Sequence, residues 1–286
     1  MPQPPVFSDF PLDPLTLSGV AVLSAQALYH AGRWFFGDRA QKERAAEGFE
    51  QVVLSGVLFG LALLLVNLSM WGLDAFASIA GVRPPPDGAV AALNRTKGWW
   101  DFAGNVQAAL GIAGGTYRAY MGAAQSILAG YAGVVALTGM LPWTSAVSMA
   151  IMNGLAYVVT AATAVLISAA VYAIAAVLAK AWPALLPVGA VLVSYERTRF
   201  LGAWLLALSV VAPAVLAAGA DVIRSLVDPA ALLALAVALG PTAALIDAMP
   251  LIEAMVLLGL IGLALGVLTY AASRLFDHAG ASLSLE

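Results

Sequence analysis

The chain has 286 residues, 62% of them hydrophobic and only 10% charged, and its mean hydropathy is +0.92. A water-soluble domain of this length carries about 25% charged residues, so a bilayer is the solvent for most of these side chains and a sizeable soluble domain is excluded. A net charge of −3 excludes nucleic-acid binding by bulk electrostatics, the absence of cysteine excludes disulfides and thiolate metal sites, and His30 and His278 lack ligand spacing.

Residues 1–14 place no cation before the first apolar run, which makes a poor secretory signal, and read as an extended lead-in whose last proline, Pro14, opens a helix. Residues 15–36 are apolar but interrupted by Ser18, Ser24, Gln26, His30 and Arg33, and they end on Trp34, Phe35 and Phe36. That pattern fits either a first membrane span or an interfacial amphipathic helix with an aromatic anchor. Residues 37–50 mix both signs of charge and read as a solvated helical turn region. Residues 51–70 carry no charge and read as a transmembrane helix, with Trp71 and Asp74 at its far interface.

Within residues 81–100, Pro84, Pro85 and Pro86 force an extended connection. Asp101 then caps a helix whose first half carries Asn105, Gln107, Tyr117 and Arg118. Arg118 either snorkels to the interface or, with Asn105, Gln107 and Tyr117, marks a hydrated lumen or subunit seam. No charge follows until Lys180. Residues 144–182 read as one very long helix, roughly 55 to 60 Å, about twice the hydrocarbon thickness. Residues 183–193, with Pro183 and Pro187, are about 16 Å if helical. They form a short proline-broken arm that is either re-entrant or continuous with the long helix across a kink.

The arm leads into a polar knot, residues 194–199, whose Arg197 and Arg199 cost roughly 2.5 to 3.5 kcal/mol each in hydrocarbon and so belong at headgroup level. If the knot is helical, Glu196, Phe200 and Trp204 share a stripe and Glu196 reaches Arg199 at i+3. On residue types alone, a positively charged turn with an aromatic anchor explains it equally well. Residues 200–220 follow as a span with Pro213 as a kink, then an Asp221–Arg224 pair. Asp228-Pro229 starts a further helix, Gly240-Pro241 breaks residues 230–246 into a hairpin, and residues 251–272 form the last span. The lysine and arginine distribution leans toward a cytoplasmic first loop. The expected fold is all-α and polytopic: about six to eight membrane segments in a single domain, 1–286. It comprises the lead-in, N-terminal helices (15–182), the segment 183–213 and C-terminal helices (214–286).

No phosphate-binding loop, zinc motif or nucleophile–base set is present, which argues against an enzyme. The order of Pro187, Tyr195, Thr198, Arg199, Phe200, Trp204 and Leu205 resembles the signature segment of TrbL/VirB-type polytopic inner-membrane subunits of type IV secretion machines, over about thirty residues. The low charge and alanine-rich helices are also similar to the polytopic component of the crenarchaeal DNA-import (Ced) machinery, a relative of that family. The resemblance implies an oligomeric platform or channel in the cytoplasmic membrane. It implies a VirB-type secretion ATPase as the energy source, small pilin-like membrane subunits as partners, DNA as cargo, and no cofactor. It also implies a docking role for Tyr195, Glu196, Arg197, Thr198, Arg199, Phe200 and Trp204. The sequence departs from larger members in carrying no long extramembrane insertion. A second class, a small-solute secondary transporter, rests on the broken segments at 183–193 and Gly240-Pro241.

Overall fold

The computed structural model describes residues 14–79, 85–93, 102–139, 155–228 and 249–283, and all regular structure among the described residues is helical. The helices are α1 (Pro14–Phe36), α2 (Arg39–Ile79), α3 (Ala89–Leu93), α4 (Phe102–Gly139), α5 (Leu155–Ser194), α6 (Arg199–Leu226) and α7 (Met249–Leu283). Four stretches, Arg39–Ser69, Val159–Ser194, Arg199–Leu226 and Ile252–Ser282, are long and apolar enough to cross a bilayer. The protein is an all-helical membrane protein. Four such stretches among the described residues are fewer than the six to eight segments expected. The Asp101 cap, residues 144–154 of the expected long helix and the Gly240-Pro241 hairpin lie outside the described residues.

Helices α5 and α6 form the centre, α5 packing against α1, α2, α4, α6 and α7 and α6 against α2, α3, α4, α5 and α7. Helix α7 runs antiparallel to α6: Gly280 abuts Val193 and the Arg199 stem at one end, and Ile261 abuts Gly219 toward the other. About 33 Å of helix separates Arg199 from Asp221 on α6, and about 31 Å separates Glu253 from Arg274 on α7. The charges of α6 and α7 therefore fall into two layers about one hydrocarbon thickness apart. Helices α1 and α2 form a hairpin in which Asp38 caps α2, its Oδ1 accepting the Gln41 N–H at 2.8 Å. The charged stretch expected as a solvated turn region is the first part of α2, and α2 continues through Trp71 and Asp74 to Ile79.

Of the two alternatives for residues 183–193, the structure has the one continuous with the preceding helix, because Pro183 and Pro187 lie inside α5, and no separate re-entrant arm forms. Proline lacks the N–H that a helix interior needs, so each one frees the carbonyl four residues earlier. At two of the three prolines inside α5 and α6 a neighbouring helix supplies the missing donor. Pro187 frees the carbonyl of Pro183, which accepts the Ser18 hydroxyl of α1. Pro213 in α6 frees the carbonyl of Ser209, which accepts the indole N–H of Trp182 at 2.8 Å. The prolines thus tie α1 to α5 and α5 to α6.

Candidate functional site: the turn joining two proline-bearing helices

Residues 195–198 form a turn between α5 and α6, so the helical stripe expected through Glu196 does not exist. The Thr198 N–H donates to the Tyr195 carbonyl at 3.1 Å, and the Thr198 hydroxyl donates to the Leu192 carbonyl at 2.8 Å. That hydroxyl joins the Tyr195 N–H, which lies 3.4 Å from the same carbonyl in the last turn of α5, and does not cap α6. The turn is tight because the helix backbones touch. A Cβ on Gly202 would lie 2.4 Å from the Val193 nitrogen and 2.8 Å from the Gly189 oxygen. Only a residue without a side chain fits there.

Beneath the turn, Tyr195 reaches back to α1. Its hydroxyl lies 3.2 Å from Gln26 Nε2, which donates to it, and 3.1 Å from His30 Nε2. Gln26 and His30 are buried, whereas Leu17, Val20, Leu28, Tyr29, Phe35 and Phe36 of the same helix are exposed. Helix α1 therefore turns polar groups inward and apolar groups outward, the reverse of a helix on a water-soluble protein. Helix α2 closes the seam: a Cβ on Gly48 would lie 1.9 Å from His30 Nδ1, and the Phe49 ring lies 6.3 Å from the imidazole. Burial, with the Arg33 charge adding to it, holds His30 below its ordinary value, so the ring is neutral at pH 7.

Above the turn, Glu196 and Arg197 are exposed. Phe200 and Trp204, one helical turn apart on α6, are 62% and 37% exposed. Glu196 makes no ion pair among the described residues. The expected Glu196–Arg199 pair is not formed, because the turn breaks the helical spacing that would bring the two together. The Arg199 stem runs along α7, its Cδ 3.6 Å from where a Gly280 Cβ would sit.

The residues expected on one face of α4 are divided. Tyr117 is fully buried and donates to the Leu216 carbonyl at 2.7 Å, and Tyr120 donates to the Ile223 and Val227 carbonyls, so this side of α4 binds α6. Arg118 points outward, and Asn105 and Gln107 are half-buried. On the outward face, Gly104, Ala108, Gly111, Gly115, Ala119, Gln125, Ser126, Ala129 and Gly133 are exposed. Among the described residues α4 exposes no large apolar side chain, unlike α1, α2, α5, α6 and α7.

Sequence reasoning missed a second constellation, at the opposite charged layer. Asp221 and Arg224 do not pair with each other. Asp221 accepts the backbone N–H groups of Ala89 and Val90, each at 2.9 Å, and Arg224 pairs with Asp87 at 2.8 Å. Gly88 makes room, since a Cβ there would lie 2.5 Å from the Asp221 carboxylate. The Arg224 bond holds the Asp87 carboxyl below its usual value. The pair of anchors fixes α3, whose Ala89, Val90, Ala92 and Leu93 are buried. The available signal was Asp87-Gly88 after the triple proline, which reads as a turn needing a partner.

The class these observations define is a helical membrane protein with a rigid, backbone-locked turn exposed at one charged layer and no metal-binding cluster among the described residues. No family model, curated protein or solved structure matches the chain.

Proposed function

We propose that the chain is a membrane-embedded platform or channel subunit of a type IV secretion-like DNA-transfer machine in the cell membrane, energised by a separate VirB-type ATPase and accompanied by pilin-like subunits. The observation that carries the reading is the presentation of the turn in the segment that resembles TrbL-type subunits. Thr198, Tyr195 and the Gly189–Gly202 contact immobilise it from below, while Glu196 and Arg197 stay exposed on the turn and Phe200 and Trp204 are exposed on the start of α6 beside it. A preorganised surface with mixed charge and two aromatics suits docking of a partner protein. Homo-oligomerisation is supported by the outward face of α4, whose small residues admit a helix of a second copy closely and whose Arg118 is poorly suited to lipid. The full complement of about six to eight membrane segments belongs to the same reading. The secondary-transporter alternative is less well supported: the Pro183 and Ser209 carbonyls freed by proline already hold Ser18 and Trp182, so they are not open ion ligands.

The test is to measure membrane abundance and DNA transfer together for Arg197→Ala and Trp204→Ala. Docking predicts normal abundance with transfer reduced about tenfold or more, the scale of one lost interface anchor. Full transfer in both variants, or loss that merely follows abundance, removes the docking role.

A further inference from the structure

We propose that the contact between His30 and Tyr195 is an acid-sensitive latch, in which the neutral imidazole holds the α5–α6 turn down on α1 and protonation of His30 releases it. This goes beyond the platform reading and does not depend on which cargo the protein moves.

The geometry allows only one charge state in the docked form. His30 is 3% exposed, and its Nε2 meets the Tyr195 hydroxyl at 3.1 Å. Its Nδ1 has no hydrogen-bond partner among the described residues and lies against Gly48. A neutral ring carrying its proton on Nε2 leaves only a lone pair unsatisfied at Nδ1. An imidazolium must carry N–H on both nitrogens, and the second would be a buried charged donor with no acceptor. The groups around the ring do not relieve this. On α1, Tyr29 stacks edge-on with ring centres 5.1 Å apart, and Arg33 repels a positive ring. On α2, Gly48 and Phe49 face it, with Arg44 and Glu47 exposed to either side. From the turn come Tyr195 and, beyond it, exposed Glu196 and Arg197. None of these carboxylates counters the charge in contact with the ring.

The direction of the pH effect follows. Once released, His30 regains an ordinary value near 6.5, which is higher than in the docked state. Docking is therefore complete above that value and is lost as the pH falls from it toward the lowered docked one. The turn's own bonds, from Thr198 to Leu192 and Tyr195, involve no titrating group, so the turn leaves α1 without unravelling.

The chain has no cysteine, so a single introduced thiol reports cleanly. Ser194→Cys places it at a buried position beside Tyr195, and Arg197→Cys gives an exposed control in the same turn. The ratio of their reaction rates with a hydrophilic maleimide cancels the pH dependence of the thiol itself. Between about pH 8 and about pH 5 the ratio is expected to rise about fivefold or more. Arg33→Ala, which removes the repelling cation, shifts the midpoint to higher pH, and His30→Gln abolishes the rise. A flat ratio in the wild-type background, or an equal rise with His30→Gln, overturns the latch. Should His30→Gln fail to insert, histidine-labelled NMR of the wild-type chain decides instead. With only His30 and His278 to resolve, a His30 titration midpoint that does not coincide with the reactivity midpoint overturns it equally.

Discussion

Replacing Trp182 by Phe tests whether proline-freed carbonyls organise this fold. The indole is fully buried, and its N–H is a donor to the Ser209 carbonyl, which Pro213 cannot serve. Hydrogen bonds between membrane helices contribute about 0.6 kcal/mol on average and up to about 1.7. A buried acceptor left unpaired costs about 1 to 3 kcal/mol. The smaller phenyl ring also leaves a void, adding on the order of 1 kcal/mol. Trp182→Phe should therefore destabilise by about 2 to 4 kcal/mol. Pro213→Ala returns an N–H to the position that normally bonds the Ser209 carbonyl, so in that background the loss of the indole donor matters less. The structure predicts a coupling of about 1 kcal/mol between the two sites in a double-mutant cycle, measured by reversible unfolding in mixed micelles. Additivity within about 0.3 kcal/mol would falsify the pairing argument, whatever the size of the single effects.

The close approach at the turn predicts that Gly202→Ala, which forces a Cβ to within 2.4 Å of the Val193 nitrogen, lowers stability by about 3 kcal/mol or more. Gly262→Ala on α7, where nothing lies within 4 Å, should stay within about 0.5 kcal/mol of wild type in the same assay. At the other layer, Asp221→Ala strips two backbone donors of their acceptor and should cost about 2 to 4 kcal/mol, seen as faster proteolysis at residues 85–93. Acidification should weaken the neighbouring Asp87–Arg224 pair progressively from the ordinary carboxylate value down through the lowered Asp87 one, followed by the Asp87 carboxyl shift in NMR; an Asp87 that titrates at its ordinary value would argue against that pair as an anchor.

Hydropathy made the helical, membrane-embedded character legible, because stretches such as residues 51–70 have no other stable form in water or lipid. The turn was legible as a place, since Arg197 and Arg199 cannot lie in hydrocarbon, but its conformation was not. A helical spacing through Glu196 was the natural expectation, and the Leu192 carbonyl at the end of α5, captured by the Thr198 hydroxyl, set a turn in its place. The continuity of α5 was legible only as one of two alternatives: Pro183 and Pro187 fit a break or a kink equally until a donor such as Ser18, distant in sequence, is known to lie beside the freed carbonyl. The division of α4 follows the same rule. Tyr117 and Arg118 are neighbours in sequence but 100° apart around a helix, so one enters the core while the other leaves it.

Lipid tails are as apolar as the leucine and alanine faces of these helices, so burial alone does little to choose a partner or a register within a bilayer. In a chain this poor in charge, that choice falls to contacts that are either made or lost outright. Backbone touches backbone at Gly202 and Gly189, which admits one crossing point. Ser18, Trp182, Tyr117 and Tyr120 each donate to a particular carbonyl of another helix, which admits one axial position. A slide of one helical turn, about 5.4 Å, would break several of these at once while leaving the apolar area buried almost unchanged. The polar residues that lower the hydropathy of α1 are thus the ones that fix it: Ser18 and Gln26 bind α5 and the turn from positions eight residues apart on one face. That two-point attachment leaves the His30–Tyr195 contact as the link in the seam, among the described residues, that titrates near neutral pH, and so the place where a change in pH acts on the turn.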